Sequence, residues 1–155
     1  MRYRSDPARI RGSIAALVTP FTDDGAVDHA SLRTLGRWQL ASGSHGVSIG
    51  GAGFISALAN IAPAAVAQMY EAAVGGDPVR ARELHYGAHP LVDLLFVETN
   101  PTPAKWLMHE RGLIPSDHVR PPLIPLSEPG RQRVHALAAA GERYLTPVDV
   151  STPSR

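Results

Sequence analysis

Few residues in this chain are capable of covalent chemistry. Of the 15 basic residues, Lys105 is the single lysine and the others are arginines, so Lys105 is the only side-chain amine that can form an imine with a carbonyl compound. Nothing near it in sequence would lower its pKa, which predicts a solvent-exposed helix lysine and not a nucleophile. The absence of cysteine excludes disulfides, thiol catalysis and cysteine metal sites.

Two pairs of residues have spacings seen in functional sites. His85 and His89 are separated as zinc-binding pairs can be, but no Glu stands where a metalloprotease motif needs it, and no third ligand is evident. We therefore interpret them as helix-surface or partly buried histidines. Asp23 and Asp24 lie in a predicted turn, where Asp is common for backbone reasons, and His45 precedes a strand in a structural role. The sequence predicts neither a metal site nor a cofactor.

The stretch HGVSIGGAGFISALAN, residues 45 to 60, is unusual because two strands of buried type meet across Gly50, Gly51, Ala52 and Gly53. Strands of this type normally lie parallel, and parallel neighbours need a crossover of a dozen residues or more. The glycines are a weak phosphate-binding signal, since a third glycine and a following helix are missing.

The surrounding pattern predicts an α/β chain. Apolar runs predict strands at residues 13–21, 46–50 and 53–60. Asp28 is predicted to cap a helix through residue 42, with Leu32, Leu35 and Leu40 buried. Four helices are predicted after the strands: 63–75, a long one from 77 to 96 with a kink at Pro90, 103–111, and one from Ser127 to 140. The predicted core stripe of the long helix comprises Leu84, Leu91, Leu95 and Phe96.

Composition sets the broad class of the protein. The chain has 155 residues, 44% of them hydrophobic and 19% charged, which is typical of one globular domain. A net charge of +1 gives no electrostatic reason to expect nucleic acid. No apolar run approaches the roughly 18–20 residues of a membrane span, so a cytoplasmic location and no membrane partner are expected. The Arg-rich residues 1–11 are predicted to be a solvated arm.

Two long blocks resemble one enzyme family. GSIAALVTPFTDDGAVDHASLRTLGRWQLASGSHGVSIGG, residues 12–51, is similar to the start of the dihydrodipicolinate synthase and N-acetylneuraminate lyase family, and residues 53–113 are similar to its end. NPTPAKW and PLIPLSEPGR resemble its tail motifs, and the match is nearest to the dihydrodipicolinate synthase branch. The resemblance implies a fragment of a (β/α)8 TIM barrel, with strands resembling 1, 2 and 8, plus a helical C-terminal extension.

By this resemblance, the middle of the barrel is missing. Such a barrel needs about 250 residues, and the part that would hold the Schiff-base lysine, the relay tyrosine and the carboxylate-binding threonines is absent. Lys105 matches a lysine of the tail motif outside the barrel, so no catalytic residue is assigned. The resemblance leaves a substrate-pocket remnant of Gly50, Gly51, Ile55 and Ser56. It also divides the chain into an arm (1–11), a partial barrel (12–75), an extension (76–145) and a flexible tail (146–155).

The join between the two blocks is short for a native barrel. Strands 2 and 8 flank strand 1, about 9–10 Å apart, and the connection must span about 18 Å, the stretched length of about five residues. This argues against a native parallel arrangement within one chain. Three alternatives follow: a hairpin with the third strand antiparallel, one long strand that pairs with a second copy, or failure to fold uniquely.

Three functions are compatible with this reading. The first is a truncated member of a pyruvate-dependent Schiff-base aldolase or lyase family that lacks independent activity, with a pyruvate-type keto acid as the ligand implied by the resemblance. The second is an interaction module that forms a homo-oligomer or associates with a full-length relative through exposed apolar surface. The third is a lyase whose missing residues come from another chain.

Overall fold

The computed structural model describes residues 11–44 and 52–147. Its elements follow the chain in this order: β1 (Arg11–Ala15), α1 (His29–Ala41), β2 (Ala52–Ser56), a 3₁₀ turn (Leu58–Asn60), α2 (Pro63–Val74), α3 (Pro78–Gly87), α4 (His89–Leu95), α5 (Thr102–Glu110), α6 (Glu128–Gly141) and a second 3₁₀ turn (Glu142–Tyr144). Among the described residues, no helix is both long and apolar enough to cross a membrane.

The two strands form a parallel pair, in register from Arg11 opposite Ala52 to Ala15 opposite Ser56. The third predicted strand is therefore parallel to the first, and not antiparallel as in the hairpin alternative. The chain between β1 and β2 contains α1, so it is long enough for a parallel crossover. The argument against a native parallel arrangement depends on the join between the strands predicted at 46–50 and 53–60, most of which lies outside the described residues. The predicted second strand, residues 46–50, lies outside the described residues, and no barrel is formed by those described.

Side-chain caps explain where several helices begin. Asp28 Oδ1 accepts hydrogen bonds from Ala30 N and Ser31 N, both 3.0 Å away, at the start of α1. Asp77 Oδ1 accepts from Arg80 N at 2.9 Å, and Ser127 Oγ accepts from Gly130 N at 3.1 Å. These bonds satisfy backbone donors that have no partner in the first helical turn. The three helix starts predicted from capping residues are thus confirmed.

The predicted long helix from 77 to 96 is two helices that meet at Ala88. Pro90 lies in the first turn of α4, where its missing N–H leaves no bond unmade, whereas inside a continuous helix it would clash with the preceding turn. Where the sequence predicts a kink, the structure therefore has a break between two helices. Leu84, Leu91 and Leu95 are buried as predicted, but Phe96 is 66% exposed.

The core lies between the strand pair and helices α2, α4, α5 and α6. Its most deeply buried apolar side chains come from five helices: Leu35, Val66, Leu91, Leu94, Met108 and Val134. Leu35 is fully buried as predicted, whereas Leu40 is 54% exposed, so its predicted burial is wrong. The polar Gln39 takes that place at the C-terminal part of α1, donating to Ala59 O and accepting from Ser44 Oγ at 2.8 Å.

The last described residues are also held in place. Thr146 N donates to Ile61 O at 3.3 Å, and Thr146 Oγ1 accepts from Ala64 N at 3.2 Å. Trp38 Nε1 donates to Pro147 O at 3.2 Å. Thr146 and Pro147 therefore belong to the packed structure, whereas the sequence predicts a flexible tail from residue 146. Residues 148–155 lie outside the described part of the chain.

Close packing of α4 and α6 makes one glycine sensitive to substitution. A Cβ at Gly141 would lie 2.6 Å from Leu91 Cδ2 and Cγ, well inside van der Waals contact. We expect Gly141→Ala to lower the free energy of unfolding by about 1–3 kcal/mol, because overpacking outweighs the better helix propensity of Ala. Chemical unfolding followed by circular dichroism measures it.

Gly36→Ala is the matched control for this prediction. Gly36 lies within α1, and nothing stands within 4 Å of its added Cβ. We expect this substitution to raise the free energy of unfolding by about 0.5–1 kcal/mol. Equal effects at the two glycines would contradict the packing of α4 against α6.

Candidate functional site

A cleft of about 510 Å³ lies beyond the carboxyl ends of the two strands. Its walls include Ala16, Leu17 and Val18, which follow β1 directly, and Ala57, which follows β2. Helix α5 and the connector to α6 complete the cleft through Lys105 and through residues 119–123. The carboxyl ends of parallel strands are where α/β folds place their binding sites, so this cleft is the candidate site.

Asn60 ties together the two loops that leave the strands. Its Oδ1 accepts from Val18 N at 2.9 Å, and its Nδ2 donates to Ala16 O at 2.7 Å and to Ala57 O at 3.0 Å. The residue is 3% exposed. These bonds also explain why the predicted strand 53–60 is shorter in the structure, because after Ser56 the chain turns so that Asn60 can reach back to the β1 loop.

Lys105 is buried in the wall of the cleft, with only 2% of the residue exposed. Its Nζ donates to Thr19 O at 3.2 Å and to His118 O, and it lies 4.6 Å from the centroid of the Phe21 ring. The prediction of a solvent-exposed lysine is therefore wrong. The reason is that α5 buries every residue from Thr102 to Met108, so a lysine in that helix has no exposed side to use.

The environment of Lys105 suits a structural cation better than a nucleophile. Burial lowers the pKa of the Lys105 ammonium, and the Asp117 carboxylate partly opposes this by raising it. Yet the two carbonyl acceptors take two of its three N–H donors and hold the amine between three segments: the loop after β1, α5 and the loop at 118. An amine that attacks a carbonyl needs a free approach to its nitrogen, and here the contacts surround Nζ.

The outer wall of the cleft is held by a second cation. Arg120 donates from Nε and Nη2 to Gly25 O at 3.2 and 2.7 Å, and its Cζ lies 4.2 Å from the centroid of the Phe21 ring. Phe21 therefore contacts both Arg120 and Lys105, in the manner of cation–π packing. Gly25 adopts a φ of 81°, which suits glycine and closes the turn at this point.

The other predicted site residues that the structure describes do not line this cleft. Ile55 and Ser56 lie at the carboxyl end of β2 but do not line it; Ile55 is 53% exposed and Ser56 is half-buried. Gly50, Gly51 and His45 lie outside the described residues. Gly53 is part of β2, opposite Gly12.

The polar pairs have ordinary surroundings. Asp24 accepts from Thr22 Oγ1 and from Ala26 N within its turn, and these bonds lower its pKa, so its predicted role in the turn is confirmed. His85 and His89 are exposed on consecutive helices, with ring centroids 6.3 Å apart. Among residues 11–44 and 52–147, no three potential metal ligands come together.

Sequence reasoning overlooked Asn60 and the buried position of Lys105. A signal for the lysine exists in the segment PAKWLM, where every residue except the lysine is apolar. Asn60 has no comparable local signal, because its three partners are decided by how two loops meet.

A parallel strand pair with a cleft at its carboxyl ends, followed by a run of helices, defines an α/β chain. The sequence profile of the dihydrodipicolinate synthetase family matches residues 9–53 and 45–140. The chain belongs to this family.

Individual relatives agree with this assignment. The 4-hydroxy-tetrahydrodipicolinate synthase of Thermomicrobium roseum is 49% identical over 94 residues, which are 61% of this chain and 31% of that protein. The crystal structure of dihydrodipicolinate synthase from Thermotoga maritima aligns with a TM-score of 0.56 at 33% identity, over 60% of this chain and 31% of that chain. The chain thus spans about a third of the length of these relatives.

One solved structure shows likeness in fold over a wider range. The chloride-inhibited dihydrodipicolinate synthase from Acinetobacter baumannii, complexed with pyruvate, aligns with a TM-score of 0.77 at 19% identity. That alignment covers 86% of this chain and 99% of the other. The relationship in fold therefore extends from the strand pair into the helices.

Proposed function

We propose that this chain is an internally shortened member of the pyruvate-dependent Schiff-base aldolase and lyase family that does not form the pyruvate imine by itself. The observation that carries the proposal is Lys105, the single lysine, whose Nζ is buried between Thr19 O and His118 O. A carbon–carbon lyase of this class needs an amine that reaches the keto carbon and a hydroxyl that moves the proton. Lys105 does not supply this amine, because its Nζ is enclosed.

One further observation supports the shortened form. The two profile matches meet in residues 45–53, at the glycine-rich stretch where the sequence predicts the join. This is expected of a chain that keeps the two ends of a barrel and lacks its middle.

Borohydride trapping with pyruvate tests the proposal. We expect intact-protein mass spectrometry to show no pyruvyl adduct on the purified chain, because the only lysine is enclosed. The Thermomicrobium roseum relative, treated in the same way, is the positive control. Peptide mapping separates reaction at the N-terminal amine from reaction at Lys105, and an adduct on Lys105 would overturn the proposal.

A second candidate function is association with another copy of the chain or with a full-length relative. Ile55 favours it, since this large apolar residue of a strand of buried type is 53% exposed here. Strands of parallel sheets are normally covered on both faces. The exposed side chain marks the place where the barrel fold would supply further packing.

Light scattering after size exclusion tests this candidate. We expect an assembly larger than a monomer, and we expect Ile55→Arg to shift it towards monomer by about 10-fold or more in dissociation constant. Val74→Arg is the matched control, because Val74 is 66% exposed at the end of α2, away from the strands. A monomer at all concentrations would rule out association with another copy, and a monomer that also stays separate when mixed with the Thermomicrobium roseum relative would rule out the candidate function.

A further inference from the structure

A wide groove lies away from the strand ends and has no part in the function proposed above. Its volume is about 910 Å³, and three segments build it: the start of α2, the length of α3, and residues 143–147. Ala64, Ala65, Leu84 and Leu145 give it an apolar floor, while Arg80, Arg143 and the two tyrosines Tyr86 and Tyr144 stand along its sides. We call it the Arg143 groove.

The walls of this groove are fixed by specific contacts. Thr146 is bonded to Ile61 O and Ala64 N, which fastens residues 145–147 to the start of α2. Tyr144 packs against Gly87 so closely that a Cβ there would overlap its ring. The side chains that project from this segment are therefore held by packing in the free protein, which reduces the entropy lost when a ligand binds.

The two arginines of the groove differ in their partners. Arg80 Nη1 lies 3.3 Å from Glu83 Oε2, so these two charges offset one another. Arg143 has no carboxylate partner among the described residues. It donates from Nη2 to Tyr144 OH, and its Cζ lies 4.6 Å from the centroid of the Tyr144 ring. Stacking on the ring orients the guanidinium plane and leaves most of its five donors available.

We propose that the Arg143 groove binds a small organic carboxylate with an apolar body. A guanidinium held on an aromatic ring matches a carboxylate through paired hydrogen bonds. The apolar floor and the tyrosine rings fit the remainder of such a molecule, and ligand sites typically combine mostly apolar walls with a few placed polar groups. The groove is also within the usual size range of small-molecule sites, about 300–1,000 Å³.

The chain contains a natural reporter for this site. Trp38 Nε1 donates to the carbonyl of Pro147, which lines the groove, whereas Trp106 is buried in the core beside His135. These are the two tryptophans of the sequence, so a ¹⁵N-labelled sample gives two indole signals. Benzoate is the probe, and benzamide is its uncharged counterpart of nearly the same shape.

We expect benzoate to move the Trp38 indole signal in a saturable way, with a dissociation constant on the order of 1 mM or lower, and to leave that of Trp106 unchanged. Benzamide should bind at least about 10-fold more weakly, because it lacks the charge that the guanidinium recognises. The absence of a Trp38 shift with benzoate, or an equal response to the two probes, would overturn the proposal.

Substitutions of Arg143 test whether this residue binds the carboxylate of benzoate. Arg143→Gln should weaken benzoate binding by at least about 10-fold, and Arg143→Lys should recover part of it. Arg133→Gln, at an exposed arginine of α6, is the matched control and should have no effect. Unchanged thermal unfolding would show that the variants are folded. If Arg143→Gln does not fold, the affinity of Arg143→Lys for benzoate and the comparison with benzamide test the proposal instead. Undiminished binding by a folded Arg143→Gln variant would also overturn the proposal.

Discussion

Replacing Lys105 by Ala should lower the free energy of unfolding by about 3 kcal/mol. The substitution removes two hydrogen bonds from a charged donor, leaves Thr19 O and His118 O without that partner, and opens a cavity beside Phe21. Lys105→Met keeps most of the volume, so the difference between the two variants separates the cavity from the lost bonds. Urea unfolding with an unchanged denaturant slope gives both values.

The control for Lys105 is Arg33→Ala, because Arg33 is an exposed cation on α1. Its removal should change the free energy of unfolding by less than about 0.5 kcal/mol. An equal effect at the two positions would mean that Lys105 is not the buried clamp described here. This outcome would also remove the main support for an enclosed, unreactive amine.

The same lysine should give the chain a particular dependence on pH. Burial lowers the pKa of Lys105 in the folded state below its ordinary value of 10.5, so between these two values the unfolded chain binds more protons. Raising the pH through this window therefore favours the folded state. The difference in unfolding free energy between the wild type and Lys105→Met should increase as the pH approaches 10.5, level off above it, and be constant below the lowered pKa. A difference that decreases over the same window would contradict the burial.

Replacing Asn60 by Leu should be at least as damaging, about 3–5 kcal/mol. Leu has nearly the same size but leaves Val18 N, Ala16 O and Ala57 O without the bonds that Asn60 makes. All these groups lie where the strand ends meet the cleft, and an unmet buried polar group is among the few causes of a large single-residue effect. Asn60→Asp keeps the acceptor for Val18 N but turns a carboxylate oxygen towards Ala16 O and Ala57 O at a buried position, so it should be no milder than Asn60→Leu.

Gln68→Leu is the matched control for Asn60, since it removes an exposed side-chain amide from α2. Its effect should stay within about 0.5 kcal/mol. If Asn60→Leu is as mild as Gln68→Leu, the two loops are not joined through this side chain. The strand pair and the cleft would then need another explanation for their shape.

The sequence predicted the helix caps and helix ends because their causes lie within a few residues of each other. Asp28, Asp77 and Ser127 cap helices through bonds to residues two or three positions away. Pro63 begins α2 and Gly76, with a φ of 82°, follows its end, for reasons contained in their own backbone chemistry. The family resemblance, which the profile match confirms, likewise depends on residues in linear order.

The sequence was a poorer guide to which side chains are buried where the apolar pattern fitted more than one buried helix face. Leu40 and Phe96 fit the predicted core stripes of their helices, yet both are exposed, and the polar Gln39 is buried instead. Gln39 is tolerated there because Ala59 O and Ser44 Oγ satisfy its amide. Neither partner is adjacent in sequence, so periodicity alone gave no indication of them.

The sequence by itself determined the helices, their caps, the shortage of catalytic groups and the family. Only the tertiary structure decided that β1 and β2 are parallel neighbours, that Lys105 is enclosed by carbonyls, and that Asn60 joins the strand ends. The physical reason is that caps and helix breaks depend on atoms within one turn of the chain. Strand pairing and the burial of a charge instead depend on segments up to 86 residues apart. No local sequence pattern indicates that such segments come together.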